Sequence, residues 1–340
     1  MSATDLRGLN ARVDRFDSLA ESLQDRRADV SRRRWMAVLM VTPMMLIPVF
    51  WTGGESAERV SAGEASRVGP IVRPSVPMEV NPRVERFITA FQTTRKDEFD
   101  LLMRRREIYA DMIRVKLRER GMPDELIYIP MIESGLSPFA VSRVSAVGMW
   151  QFMGPTALQY GLRVDDYVDE RRDPVRATDA ALDYIAGLHE RFGGSWYLAA
   201  AAFNAGPGRV ERILRRYANG RVGDEDIYWE VIEHLPRETR DYVPKMLAVT
   251  HLANDADALG FQASDVEPYR FDNVFVPGGT SLWSVASALD VPARELRLLN
   301  PHLVRGVTPP GEMYAVRVPV GGVPAVVEAL AGLPLRRADD

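Results

Sequence analysis

The chain has 340 residues, 46% hydrophobic and 26% charged, a composition that excludes a largely disordered chain, a collagen and a multi-span membrane protein. Its 43 basic and 47 acidic residues leave a net charge of −4, so no global positive field draws it to nucleic acid. Cysteine is absent, which removes disulfides, thiolate metal sites, cysteine nucleophiles and a lipid-bearing N-terminal cysteine together.

Residues 1–34 are polar and end in Arg32-Arg33-Arg34, which reads as a cytoplasmic arm. The uncharged run Trp35–Trp51 follows. As a helix it rises about 26 Å, at the short end for a hydrocarbon core of about 30 Å. Arginines on one flank and tryptophan at both ends predict a single transmembrane anchor with its N-terminus in the cytoplasm. A cleaved signal peptide and a buried core helix are the rivals, the first disfavoured by the long arm and the second by the arginine triplet at its edge. Residues 52–82 are rich in Gly, Pro, Ser and charge without periodicity and read as a flexible linker.

From 83 to about 260 the pattern is helical. Val84, Phe87, Ile88 and Phe91 mark a first amphipathic stretch, and Phe99 to Leu117 a longer helix ending before Gly121. Pro123 opens the segment LIYIPMIE. Asp173-Pro174 is an N-cap with proline at the first helical position, opening a helix to Gly193-Gly194. Ser195 caps a short alanine-rich helix, and a last helix runs from about Thr239 to Asn254. The predicted class is mainly α.

Leu126–Ile132 is apolar on every face, so the segment is expected to be buried on all sides, with Glu133 closing it. Apolar burial and the negative end of the helix dipole both disfavour an ionised carboxylate there. A carboxyl kept protonated near neutral pH is what a general acid needs. The alternative on these residues alone is a glutamate paired with one of the many arginines.

The run Glu133–Ala157, ESGLSPFAVSRVSAVGMWQFMGPTA, resembles the first motifs of the lytic transglycosylases that share a lysozyme-like domain: Ala140, Ser142, Ala146, Gly148, Gln151 and Met153 fall at the matching spacings. AAFNAGPGRV (201–210) resembles that family's Ala-Tyr-Asn-Ala-Gly motif, and LPRETRDYVPKML (235–247) its Glu-Thr-x-x-Tyr-Val motif. The segment VDERRDPVRATDAALDYIAGL resembles the family's membrane-bound D type. The resemblance implies a lysozyme-like α-helical domain that cleaves the β-1,4 bond between N-acetylmuramic acid and N-acetylglucosamine in peptidoglycan. Glu133 would be acid and then base, and the muramyl 6-hydroxyl would close a 1,6-anhydro ring. It also implies Ser142, Gln151, Met153, Phe203, Asn204 and Tyr242 as substrate-binding residues, with Tyr242 able to orient Glu133. Two departures stand out: Phe203 replaces the usual tyrosine and lacks its hydroxyl, and without cysteine the Trp35–Trp51 segment must replace the lipid anchor common in the D type. No second carboxylate is required by these motifs; Asp165 and Asp166 read as solvated loop charges.

Residues 271–320 change texture, with strands expected at Val274–Val276 and Tyr314–Val318 and two short helices between. This βααβ order and the run Gly279-Thr280-Ser281-Leu282-Trp283 resemble a LysM module, although the Asp usual before the Thr is absent. The resemblance implies binding to N-acetylglucosamine-containing glycans; a LysM-shaped packing module with little sugar affinity is the alternative. Residues 321–340 read as a short helix or tail. The four histidines are scattered without ligand spacing, so no metal and no cofactor is expected. The expected partners are peptidoglycan glycan strands and a membrane, the latter through one N-terminal helix, with the catalytic domain on the periplasmic, cell-wall side. A hydrolytic muramidase and a catalytically weak wall-binding scaffold are the rival functions.

Overall fold

A computed structural model describes residues 75–256 and 266–331. The expected arm (1–34), the anchor (35–51), the linker up to residue 74 and the tail beyond residue 331 lie outside the described residues. Among the described residues, no helix is long and apolar enough to cross a membrane.

Local chemistry sets most helix starts. The Asn81 side chain accepts from the amides of Arg83 and Val84, opening α1 (Pro82–Gln92) with proline in its first turn. Residues 75–80 before it carry no regular secondary structure, and Val76 is buried. The expected linker therefore ends earlier than residue 82, because this stretch packs on the domain. Helix α2 (Lys96–Glu119) follows, buried along Phe99, Leu102, Ile113 and Leu117. A 3-10 turn, Asp124–Ile127, leads into α3 (Tyr128–Ser134). After α4 (Gly154–Gln159), Asp173 caps α5 (Pro174–Arg191) by accepting from Val175 and Arg176. Ser195 caps α6 (Trp196–Ala205) by accepting from Leu198. The sequence reading missed α7 (Pro207–Tyr217) and α8 (Asp226–Val231). The proline at the first position of α7 and its buried Val210 and Leu214 were a usable signal for the first of these. Helix α9 (Arg237–Asn254) carries Pro244 in its interior and is buried along most of its length.

In the C-terminal part β1 (Asp272–Val276) pairs antiparallel with β2 (Tyr314–Val318), Val274 opposite Val316. Between them run α10 (Leu282–Ala288) and α11 (Ala293–Leu299); α12 (Val323–Ala331) follows. The expected βααβ order is present. Val274, Val276, Val316 and Val318 face a small core of their own with Leu282, Val285 and Leu296.

The two parts are joined by more than a tether. Val168, from the loop between α4 and α5, is fully buried in that small core. It forms a bridge with Leu303, flanked by Asp169 N–H to the His302 carbonyl at 2.9 Å and Val304 N–H to the Tyr167 carbonyl at 3.0 Å. Arg317 on β2 donates both bonds of one guanidinium nitrogen to Asp173, at 2.7 and 2.9 Å. The described residues all belong to one compact unit.

Candidate active site

Helix α3 ends abruptly. Gly135 takes φ 63° and its N–H reaches the Met131 carbonyl at 3.0 Å, while Leu136, also left-handed at φ 59°, donates to the Pro130 carbonyl at 3.2 Å. Glycine suits the first of these positions because a left-handed turn burdens any β-carbon. The turn leaves Glu133 in the last helical turn at the surface end of an apolar segment. Leu126, Ile127, Tyr128, Ile129 and Met131 are buried, but Ile132 and Glu133 are only half-buried. The expectation of burial on all sides therefore holds for the body of the segment and fails at its end, where residues 132–135 are half-buried.

Tyr242, in the second turn of α9, donates its phenol to Glu133 Oε1 at 2.7 Å. The ring is buried. Burial first, then the charge of Glu133, the bond to it and the charge of Glu238 hold the phenol well above its usual titration range. It is a fixed neutral donor that pins one carboxylate oxygen.

One turn earlier on α9, Thr239 donates its hydroxyl to Asn204 Oδ1 at 2.7 Å, and Asn204 Nδ2 donates to Glu238 Oε1 at 3.3 Å. Residues 238, 239 and 242 share a helix face. The end of α6 and the start of α9 are thereby locked together beside Tyr242. The expected site residues Asn204, Tyr242 and Glu133 are brought together in this way. Glu238 and Thr239 were not predicted, although both stand in the segment LPRETRDYVPKML, three and four positions before Tyr242; the spacing was the signal.

The loop 139–152 forms the other wall. Ser134, next to Glu133, donates its hydroxyl to the Met149 carbonyl at 2.8 Å and accepts from the Ser137 amide. Trp150 is fully buried beneath that loop and donates its indole N–H to Thr178 on α5 at 3.0 Å. Gly148 sits at φ 82°, and a β-carbon there would lie 1.8 Å from the Arg171 carbonyl oxygen. The loop backbone thus rests directly on residues 171–172.

Within this loop Ser142 Oγ accepts from the Ala146 amide at 2.9 Å, and Gln151, left-handed at φ 51°, donates its side-chain amide to the Gly148 carbonyl at 2.8 Å. Both side chains shape the loop, a role the sequence reading did not give them. Met153 is 42% exposed. Phe203 is half-buried, with its ring 6.4 Å from Trp150 edge-on and 5.5 Å from Tyr184. Of the loop carboxylates, Asp165 accepts from the amides of Tyr167 and Val168 and from Arg163, which hold it down at about 2. Asp166 is paired with Arg305 in solvent. A cavity of about 180 Å³ opens between Phe139 and Arg172 on one side and Arg297, Asn300 and Val304 on the other; Glu133 does not line it.

Residues 112–222 match the family described as Transglycosylase SLT domain, and residues 270–334 match Lytic transglycosylase MltD, LysM-like domain. The chain carries an SLT domain followed by a LysM-like domain. Membrane-bound lytic murein transglycosylase D of Escherichia coli strain K12 is 33% identical over 197 residues, covering 58% of this chain and 43% of that protein. The chain thus spans less than half the length of that relative. Peptidoglycan transglycosylase gp16 of Escherichia phage T7 is 41% identical over 128 residues, 37% of this chain and 9% of that protein. The crystal structure of the 70 kDa soluble lytic transglycosylase from Escherichia coli overlaps 46% of this chain and 26% of that one at 25% identity, with a TM-score of 0.38. Glu133, the loop 139–152, Phe203 and Asn204 all lie inside the SLT match; Glu238, Thr239 and Tyr242 come from beyond its C-terminal limit. The described structure is mostly helical, with a small strand pair in the LysM-like domain.

Proposed function

We propose that the chain is a lytic transglycosylase that cleaves the β-1,4 bond between N-acetylmuramic acid and N-acetylglucosamine in peptidoglycan. The observation that carries this reading is the Tyr242–Glu133 hydrogen bond, which joins two motif segments 109 positions apart around one carboxyl group in an SLT domain. The names of the relatives, murein and peptidoglycan transglycosylases, point to the same substrate.

Glu133 in its acid form gives its proton to the glycosidic oxygen as the bond from that oxygen to the muramyl C1 breaks and positive charge grows on the sugar. The 6-hydroxyl of the same muramyl unit then attacks C1 and yields its proton to the Glu133 carboxylate, which restores the acid and leaves a 1,6-anhydro end. One carboxyl suffices because the proton it lends is returned, unlike the two-carboxylate schemes of most glycosidases. Tyr242 holds one oxygen of Glu133 in place and so orients the carboxyl for both proton transfers.

Ser142 presents its O–H, and Gln151 its side-chain carbonyl, to sugar hydroxyl or acetamido groups, while the exposed Met153 and the ring of Phe203 offer apolar surface to a sugar face. Asn204, occupied by Thr239 and Glu238, keeps one N–H for substrate. The LysM-like domain adds glycan contacts, and Trp35–Trp51 serves as the anchor of an enzyme at the cytoplasmic membrane facing the wall, a reading supported by the membrane-bound name of a relative.

Purified sacculi incubated with the protein test the assignment. Mass spectrometry should find muropeptides with anhydro-muramyl ends. Reducing ends in their place would mean that water attacks and the enzyme is a muramidase; no released fragments would leave a wall-binding scaffold.

A further inference from the structure

We infer that the LysM-like domain is a buttress of the active site and that Arg317 is a positioning residue for catalysis. Arg317 and Asp173 are 8% and 3% exposed, an ion pair sealed between the two domains. Tyr269 accepts from the other guanidinium nitrogen at 3.0 Å and donates to the Leu299 carbonyl at 2.8 Å. Asn300, also buried, accepts from the Arg317 amide and donates to its carbonyl, so the strand carrying the guanidinium is itself fixed.

Two short routes lead from this pair to Glu133. Asp173 caps α5, and the first turn of α5 orients Thr178 through the Pro174 carbonyl at 2.6 Å. Thr178 takes the indole N–H of Trp150, whose neighbour Met149 takes the hydroxyl of Ser134, adjacent to Glu133. The second route runs through 171–172: the Gly148 backbone lies against the Arg171 carbonyl, and the Arg172 guanidinium donates to the Phe139 carbonyl at 3.3 Å. The segment 167–173 that bears both routes is clamped from the far side by Leu303, His302 and Arg317. Removing one member of a sealed ion pair strands the other charge, and the relief open to Asp173 is to move, carrying 171–172 away from Gly148.

The experiment uses the full chain with the variants Arg317→Met, Arg317→Met with Asp173→Asn, and Tyr269→Phe. Asparagine keeps the helix cap while discarding the stranded charge. Hydrogen exchange is followed at the amides of residues 147–152, with helix Trp196–Ala205 as internal reference. Arg317→Met should speed exchange at 147–152 by about tenfold or more while the reference helix is unchanged, a local rather than a global opening. On sacculi, which rests on the transglycosylase reading, its kcat should fall roughly 10- to 100-fold with KM changed much less. The double variant should recover part of both effects. If Arg317→Met does not fold, Tyr269→Phe decides by the same exchange measurement. Folded variants with wild-type exchange at 147–152, or exchange raised equally in the reference helix, overturn the proposal. A wild-type protein inactive on sacculi would defeat the transglycosylase reading alone, and exchange would still judge the buttress.

Discussion

In the proposed mechanism the chemistry at Glu133 depends on a proton and on where the carboxyl points. Replacement by Gln keeps the shape and removes the acid, so release of muropeptides from sacculi should drop by roughly 10²–10⁴, with an unchanged circular dichroism spectrum. Tyr242→Phe removes only the hydrogen bond to Oε1; the expected cost is about 1 kcal/mol, or roughly a fivefold fall in kcat, with KM little altered. Wild-type kcat in that variant would show that the phenol does not orient the acid. Phe203→Tyr restores the hydroxyl usual in the family beside Tyr184, whose ring is 5.5 Å away. Activity should rise if that hydroxyl positions substrate, and equal rates would show that the pocket works without it. At this scale Glu133 could be singled out in the sequence because the run Glu133–Ala157 and two later motif segments follow in order; the apolar run alone left open a glutamate paired with an arginine. Glu238 and Thr239 were passed over because their meaning lies in being one turn from Tyr242 on α9 and within reach of Asn204 on α6, a contact spanning 34 to 35 positions.

The helices show the same division between local and distant causes. Asp173 and Ser195 were readable as caps because a cap is satisfied by amides two or three residues away. What the sequence could not show is that Asp173 also takes Arg317, 144 positions on. The two roles separate by mutation. Asp173→Asn keeps a capping side chain and should cost chiefly the ion pair, whereas Asp173→Ala loses both, with an added cost of about 1 kcal/mol. Breaking the buried pair should itself cost on the order of 3–5 kcal/mol. Urea unfolding of the two variants measures the difference, and equal midpoints would deny the cap. The loop 139–152 was expected to hold sugar-binding side chains, yet Ser142 and Gln151 first hold the loop itself together. Hydrogen bonds within a loop leave no periodic trace in a sequence, so this layer of the site is visible only in three dimensions.

Across the whole molecule, the helical texture of the first part and the βααβ order of the second were foreseeable and their union was not. Periodicity reports which face of an element is apolar but not which neighbour covers it, so nothing in the sequence placed Val168 in the core of the LysM-like domain. His302 at that junction supplies a solution test. Burial first, then the Arg317 charge against an opposing pull from Asp173, puts its folded-state pKa at about 4, below the ordinary 6.5. The unfolded chain therefore binds the proton more readily, and stability present above about pH 6.5 is lost as pH falls towards 4. Between pH 7 and pH 5 the loss from this group should be about 2 kcal/mol. His302→Phe should flatten urea midpoints over that range, and an unchanged slope would place the acid sensitivity elsewhere. In the proposed mechanism one carboxyl, oriented by Tyr242, both cuts the glycan and closes the anhydro ring. Mass spectrometry of the fragments released from sacculi by the wild-type chain and by Glu133→Gln tests it most directly: the wild type should yield anhydro-muramyl ends and the variant almost none, whereas reducing ends from the wild type, or undiminished release by the variant, would contradict it.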